Sequence, residues 1–106
     1  MLFTISAKHV DAPEAVKEYA RKKVSNLPRY YNSINEVEVV LDGGQGGNVS
    51  VELIARAAHG KPFVVTEADK EVYRCIDSAV HKLERQIRKR KARERDNKHT
   101  GSSKPA

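Results

Sequence analysis

Two stretches in the middle of the chain constrain its fold most: Ile34–Asp42 and Asn48–Ala57 alternate apolar and polar residues with a period of two. In the first, Val37, Val39 and Leu41 share one side, and Glu36, Glu38 and Asp42 the other. In the second, Val49, Val51, Leu53 and Ala55 form the apolar side. Successive side chains of a strand leave on opposite faces, so each stretch predicts a strand with one buried and one wet face. Gly43-Gly-Gln-Gly-Gly47 between them predicts a flexible hairpin loop. A sheet that is wet on one side buries the other under helices.

The flanking segments supply the remaining elements. Leu2–Ala7 alternates too, with Phe3, Ile5 and Ala7 on its apolar side. Asp11-Ala-Pro-Glu14 predicts a capping box for a first helix. Ala15, Val16, Tyr19, Ala20, Val24 and Leu27 recur at helical spacing, so this helix is expected to reach about Asn26, with Pro28 ending it. Pro62–Thr66 predicts a short edge strand. Thr66 is then expected to cap a long helix reaching about Arg95, with Ala68, Val72, Ile76, Ala79, Val80, Leu83 and Ile87 as its apolar stripe. Past Ile87 the same azimuth carries Arg90 and Arg93. Such a helix is roughly 42 Å long, whereas a strand of about seven residues spans roughly 23 Å, so the helix is expected to overhang the sheet. The order predicts an α+β fold, a single β-α-β-β-β-α domain over residues 1–95. Both helices pack on one face of a four-stranded sheet, and residues 96–106 form a flexible tail.

Charge is distributed unevenly over this framework. Residues 1–81 carry ten Lys and Arg against eleven Asp and Glu, whereas residues 82–98 carry nine against three. Almost all of the formal net charge of +6 therefore sits on the end of the last helix. A concentrated positive field attracts polyanions. Nucleic acid is the first candidate partner and an anionic membrane surface the second, although residues 84–95 lack the Trp, Phe or Leu that a membrane-surface helix buries. No stretch reaches the length of a membrane span, and Met1–Ala12 resembles neither a signal nor a transit peptide. The single cysteine, Cys75, excludes an intramolecular disulfide. These features predict a cytoplasmic protein, monomeric when free.

Around the last helix, Arg74, Lys82, Arg85, Arg88 and Lys89 cluster opposite the apolar stripe. Lys22 and Lys23 end the first helix and Lys8 follows the first strand. A charged helix face is most often just solvated. The run Arg88-Lys-Arg-Lys91, however, repels itself unless a polyanion neutralises it. Aromatic residues are only 6% of the chain, so recognition is expected through backbone phosphates and shape rather than through base stacking. Glu36 and Glu38 have the spacing of an acid/base pair, but on an open strand face they read as solvated carboxylates. The four histidines are scattered and Cys75 has no partner at metal-ligand spacing. No catalytic constellation, cofactor, metal or small-molecule substrate is expected.

Tyr73-Arg-Cys-Ile-Asp77, Lys82-Leu-Glu-Arg-Gln86 and the basic stretch after them closely resemble the ribosome hibernation promoting factor and ribosome-associated inhibitor family. Glu14-Ala-Val-Lys-Glu-Tyr19, Lys23, Leu27, Ile34-Asn-Glu-Val37 and Val39-Val-Leu41 agree with that family's first helix and second strand, and the resemblance covers residues 1 to about 95. It implies an architecture similar to double-stranded-RNA-binding domains. It also implies binding to ribosomal RNA of the small subunit in the decoding channel, occlusion of messenger and of A- and P-site transfer RNA, and silenced translation under stress or in stationary phase. Lys23, Lys82, Arg85, Lys89 and Lys91 match family positions that contact ribosomal RNA; the charge map adds Lys8, Lys22 and Arg88. Asp77 matches a family position as well, and its place beside the apolar stripe predicts a structural role. A general double-stranded-RNA binding module of the same architecture is the alternative.

Overall fold

The computed structural model describes residues 1–31, 33–44 and 46–100. Seven elements follow one another: β1 (Leu2–Lys8), α1 (Glu14–Val24), a short α2 (Leu27–Tyr30), β2 (Ile34–Asp42), β3 (Val49–Ala57), β4 (Phe63–Asp69) and α3 (Val72–Thr100). The strands form one sheet in the order β1-β2-β3-β4. β1 runs parallel to β2, with Ile5 opposite Val39; β2–β3 and β3–β4 are antiparallel.

The period-two pattern does what it predicts. Val37, Val39 and Leu41 of β2 and Val51, Leu53 and Ala55 of β3 are completely buried. They join Val16, Ala20 and Val24 of α1 and Ile76, Ala79, Leu83 and Ile87 of α3 in one apolar cluster. Both long helices therefore cover the same face of the sheet, and the opposite face is open. Ala7 and Ala15, expected inward, are exposed.

Four local expectations are corrected. The capping box does not form: Pro13 is the N-cap with an extended backbone (φ −58°, ψ 158°), no side chain caps the helix, and Val16 and Lys17 donate their N–H groups to the Pro13 carbonyl. Glu14 is thus the first helical residue, too early to reach back to Asp11. Pro28 does not end the helical path, since α1 stops at Val24 and Pro28 lies in the separate turn α2. Thr66 caps no helix, because β4 continues to Asp69. There Val49–Glu52 of β3 pairs with Thr66–Asp69, which satisfies main-chain groups a shorter β4 would leave unpaired. Ala68 is accordingly exposed on the strand rather than on a helix stripe. Lastly, α3 runs to Thr100, and residues 101–106 of the expected tail lie outside the described residues.

Glycine is required at one point of the β2–β3 loop. A Cβ on Gly43 would sit 2.2 Å from the His9 carbonyl oxygen, while the Gly43 N–H donates to the Lys8 carbonyl at 2.8 Å. Gly43 thus ties the loop to the end of β1.

Candidate nucleic-acid interface

α3 starts on acidic caps supplied by the β4–α3 turn. The Glu71 carboxylate accepts the N–H groups of Tyr73 and Arg74, taking the role expected of Thr66. Asp69 accepts the Glu71 N–H at 3.1 Å and the Arg74 guanidinium at 2.8 and 3.0 Å. The Arg74 hydrogen bonds, then the Glu71 N–H, hold the Asp69 carboxyl at about 2, below the ordinary 3.8. Arg74 is therefore committed to the turn. Cys75, wholly buried, donates its thiol to the Glu67 carbonyl at 3.3 Å, and burial pushes its pKa up.

The groove between α1 and α3 is bridged. Asp77 Oδ1 accepts the Tyr19 hydroxyl at 2.7 Å and lies 3.4 Å from the Lys23 ammonium. The same ammonium sits 5.3 Å from the centre of the Tyr19 ring, and Tyr73 packs edge-on against Tyr19 at 4.9 Å. Asp77 raises the pKa of Tyr19, chiefly by accepting its hydrogen bond, and that of Lys23, chiefly by its charge. The structural role expected of Asp77 is this bridge. On the other flank, Lys82 lies 3.4 Å from Glu67 of β4 and donates to the Thr66 carbonyl at 3.4 Å.

These two contacts fix the azimuth of every later cation on α3. Residues seven and eleven positions on return to nearly the same side of a helix. Lys89 and Arg93 therefore follow Lys82 on the β4 flank, and Arg88 follows Asp77 on the α1 flank. Lys82, Arg85, Gln86 and Lys89 line a concavity of about 210 Å³. A second one of about 120 Å³ adjoins it, lined by Phe63, Gln86, Lys89, Arg90 and Arg93. Among the described residues, Lys22, Arg85, Arg88, Lys89 and Lys91 make no ion pair. Lys8 stands apart from them: strand alternation places it on the open sheet face, opposite Asp42. Gln86 and Arg93 complete the concave row, and their spacing of four and eleven from Lys82 was the available signal.

The expected overhang does not begin directly after Ile87, although α3 does run on to Thr100. The Arg90 guanidinium lies 3.6 Å from the centre of the Phe63 ring, and Glu94 accepts the Tyr31 hydroxyl at 2.8 Å. Tyr31 and Phe63 meet edge-on at 5.9 Å. Two more turns of α3 are thus held on the domain, and the cationic row is presented by a supported helix rather than a free arm.

Elsewhere, Glu36 and Glu38 both pair with Arg56, at 3.4 and 3.3 Å, on the open face. Among the described residues, no helix is long and apolar enough to cross a membrane.

A model of the sigma 54 modulation protein / S30EA ribosomal protein family matches residues 3–95, which span every strand and the cation-bearing part of α3. The chain belongs to this family. Within the S30EA family, it is 29% identical to the ribosome hibernation promotion factor of Deinococcus radiodurans, over 98% of this chain but only 56% of that protein. It is also 29% identical to the ribosome hibernation promoting factor of Escherichia coli K12, over 86% of this chain and 94% of that one. In three dimensions it resembles the Thermus thermophilus Protein Y N-terminal domain (TM-score 0.72, 29% identity, 82% of this chain and 93% of that domain). A ribosomal subunit interface protein from Coxiella burnetii has the same fold (TM-score 0.79, 22% identity, 87% of this chain and 99% of that one).

Proposed function

We propose that this S30EA-family chain is a ribosome hibernation factor. Its helix face grips ribosomal RNA in the decoding channel of the small subunit and so excludes messenger and A- and P-site transfer RNA, silencing translation under stress. The observation that carries this reading is the supported row Lys82, Arg85, Lys89 and Arg93 along α3. Lys22, Lys23, Arg88 and Lys91 provide a second set toward α1. Arg offers a planar fork to phosphate oxygens and Lys a point charge, so the two rows suit folded RNA without any reading of base edges. Lys23 and Lys82 reach RNA by exchanging a carboxylate partner, exposed Asp77 for the first and half-buried Glu67 for the second, and such pairs near the surface are of small strength in water. No catalytic step or cofactor belongs to this mechanism, and Lys8 contributes through the general field. The chain's similarity to the ribosome hibernation factors of Deinococcus radiodurans and Escherichia coli supports the reading.

With about six phosphate contacts, retention on small subunits should fall about a thousandfold between 50 and 200 mM salt. Co-sedimentation measures it, with a Lys82→Glu/Arg85→Glu/Lys89→Glu variant expected to be released at the lower salt. Retention that ignores both salt and the substitutions sinks the proposal. Tighter binding to naked RNA duplex than to intact subunits replaces it with a general duplex-binding role.

A further inference from the structure

The open face of the sheet carries a pattern of its own. The register sets Glu38 of β2, Ile54 of β3 and Val64 of β4 in one row, and Val40 opposite Glu52 in the next. Val40 and Ile54 therefore occupy one diagonal of a four-residue square, and Glu38 and Glu52 the other. Val64 lies directly beside Ile54 in its row, which widens the apolar patch onto β4, and is 49% exposed. Four acids on this face, Glu36, Glu38, Asp42 and Glu52, stand against two cations, Lys8 and Arg56. Arg56 is shared between Glu36 and Glu38, and among the described residues Glu52 has no ion pair. The face is thus net negative, opposite in sign to the helix face.

We infer that the open sheet face is a docking surface for a basic, amphipathic polypeptide segment. Such a segment lays apolar side chains along Val40, Ile54 and Val64 and sets lysines or arginines against Glu38 and Glu52. Charge complementarity selects this occupant and disfavours RNA, whose phosphates these carboxylates repel. A second copy of the chain is a poorer fit, because its cationic stretch Arg88–Arg95 has only Ala92 to offer the apolar diagonal. The surface lies on the side of the sheet away from the helices, so both faces are available at once. A protein built this way lies between RNA on one side and a basic protein segment on the other.

The test titrates the isotopically labelled full chain with a short synthetic peptide of alternating lysine and valine, followed by amide chemical shifts. Shift changes at Val40, Glu52, Ile54 and Val64 are expected, with affinity lowered about tenfold in a Glu38→Lys/Glu52→Lys variant. Val64→Ser, at an exposed position, provides an independent loss of affinity should the double variant fold poorly. Changes confined to α1 or α3, no change at saturating peptide, or equal binding of an all-lysine peptide overturns the proposal. So do shifts on this face that grow with protein concentration alone, which assign it to a second copy. No readout involves ribosomes, so the outcome is independent of the function proposed above.

Discussion

A single carboxylate couples the two long helices and restrains a cation at the same time. Asp77 accepts the Tyr19 hydroxyl and pairs with Lys23 through one oxygen, and both partners are partly exposed. Replacing it with Asn keeps an acceptor for Tyr19 and removes the charge that competes for Lys23. Asp77→Asn should therefore change stability by less than about 1 kcal/mol. It should also steepen the logarithmic salt dependence of RNA binding by about one phosphate contact, measured by filter binding across a salt series. Asp69 behaves differently, since its partners are the capping turn itself. Its folded-state pKa of about 2 lies below the ordinary 3.8, so the folded form takes up the proton less readily than the unfolded chain. The contribution of Asp69 is complete above the ordinary value and is lost as pH falls from there through about 2. Thermal melts should show this acid-side loss, and Asp69→Asn should remove that part of the pH dependence.

At the scale of elements, α3 depends on more than its apolar stripe. Its last apolar anchor in the core is Ile87, yet Arg90 stacks on Phe63 and Glu94 binds Tyr31. The Arg90 Nη1 is buried without a hydrogen-bond partner, so the ring face is what holds the guanidinium there. Arg90→Ala should cost about 1–2 kcal/mol in urea unfolding. Arg90→Lys should recover only part of this, because an ammonium lacks the planar surface that stacks. The same variants test whether the supported helix end matters for RNA. If the clamp positions Lys89 and Arg93, Arg90→Ala lowers affinity by more than the loss of one charge explains.

For the whole molecule, one core and two unlike faces are the organising facts. Leu53 lies in the middle of the sheet beneath the helices and is wholly buried. Leu53→Ala should cost about 3 kcal/mol, and urea unfolding should stay a single transition by both fluorescence and circular dichroism, because helices and strands share one cluster. The cluster also accounts for the polarity of the surface. The helices bury one sheet face and turn their own cations outward, which leaves the carboxylates of β2 and β3 on the far side.

What could be read from the chain alone followed local periodicity. Val37, Val39, Leu41, Val51 and Leu53 announced a one-faced sheet, Val16, Ala20 and Val24 a helix upon it, and the charge run from Lys82 the side that meets polyanions. Side-chain period and charge are properties of neighbouring residues, so no contact had to be known. Other features needed partners distant in sequence. Thr66–Asp69 became strand because β3 offered unpaired main-chain groups. Arg90 already lay on the azimuth of the stripe, but what it meets there, the Phe63 ring, was set by the fold. Lys23 and Lys82 acquired carboxylate partners, and Lys8 was carried to the far face. In each case a long-range contact decided the outcome, because local preference is smaller than the free energy of satisfying a buried hydrogen bond, an aromatic face or a charge.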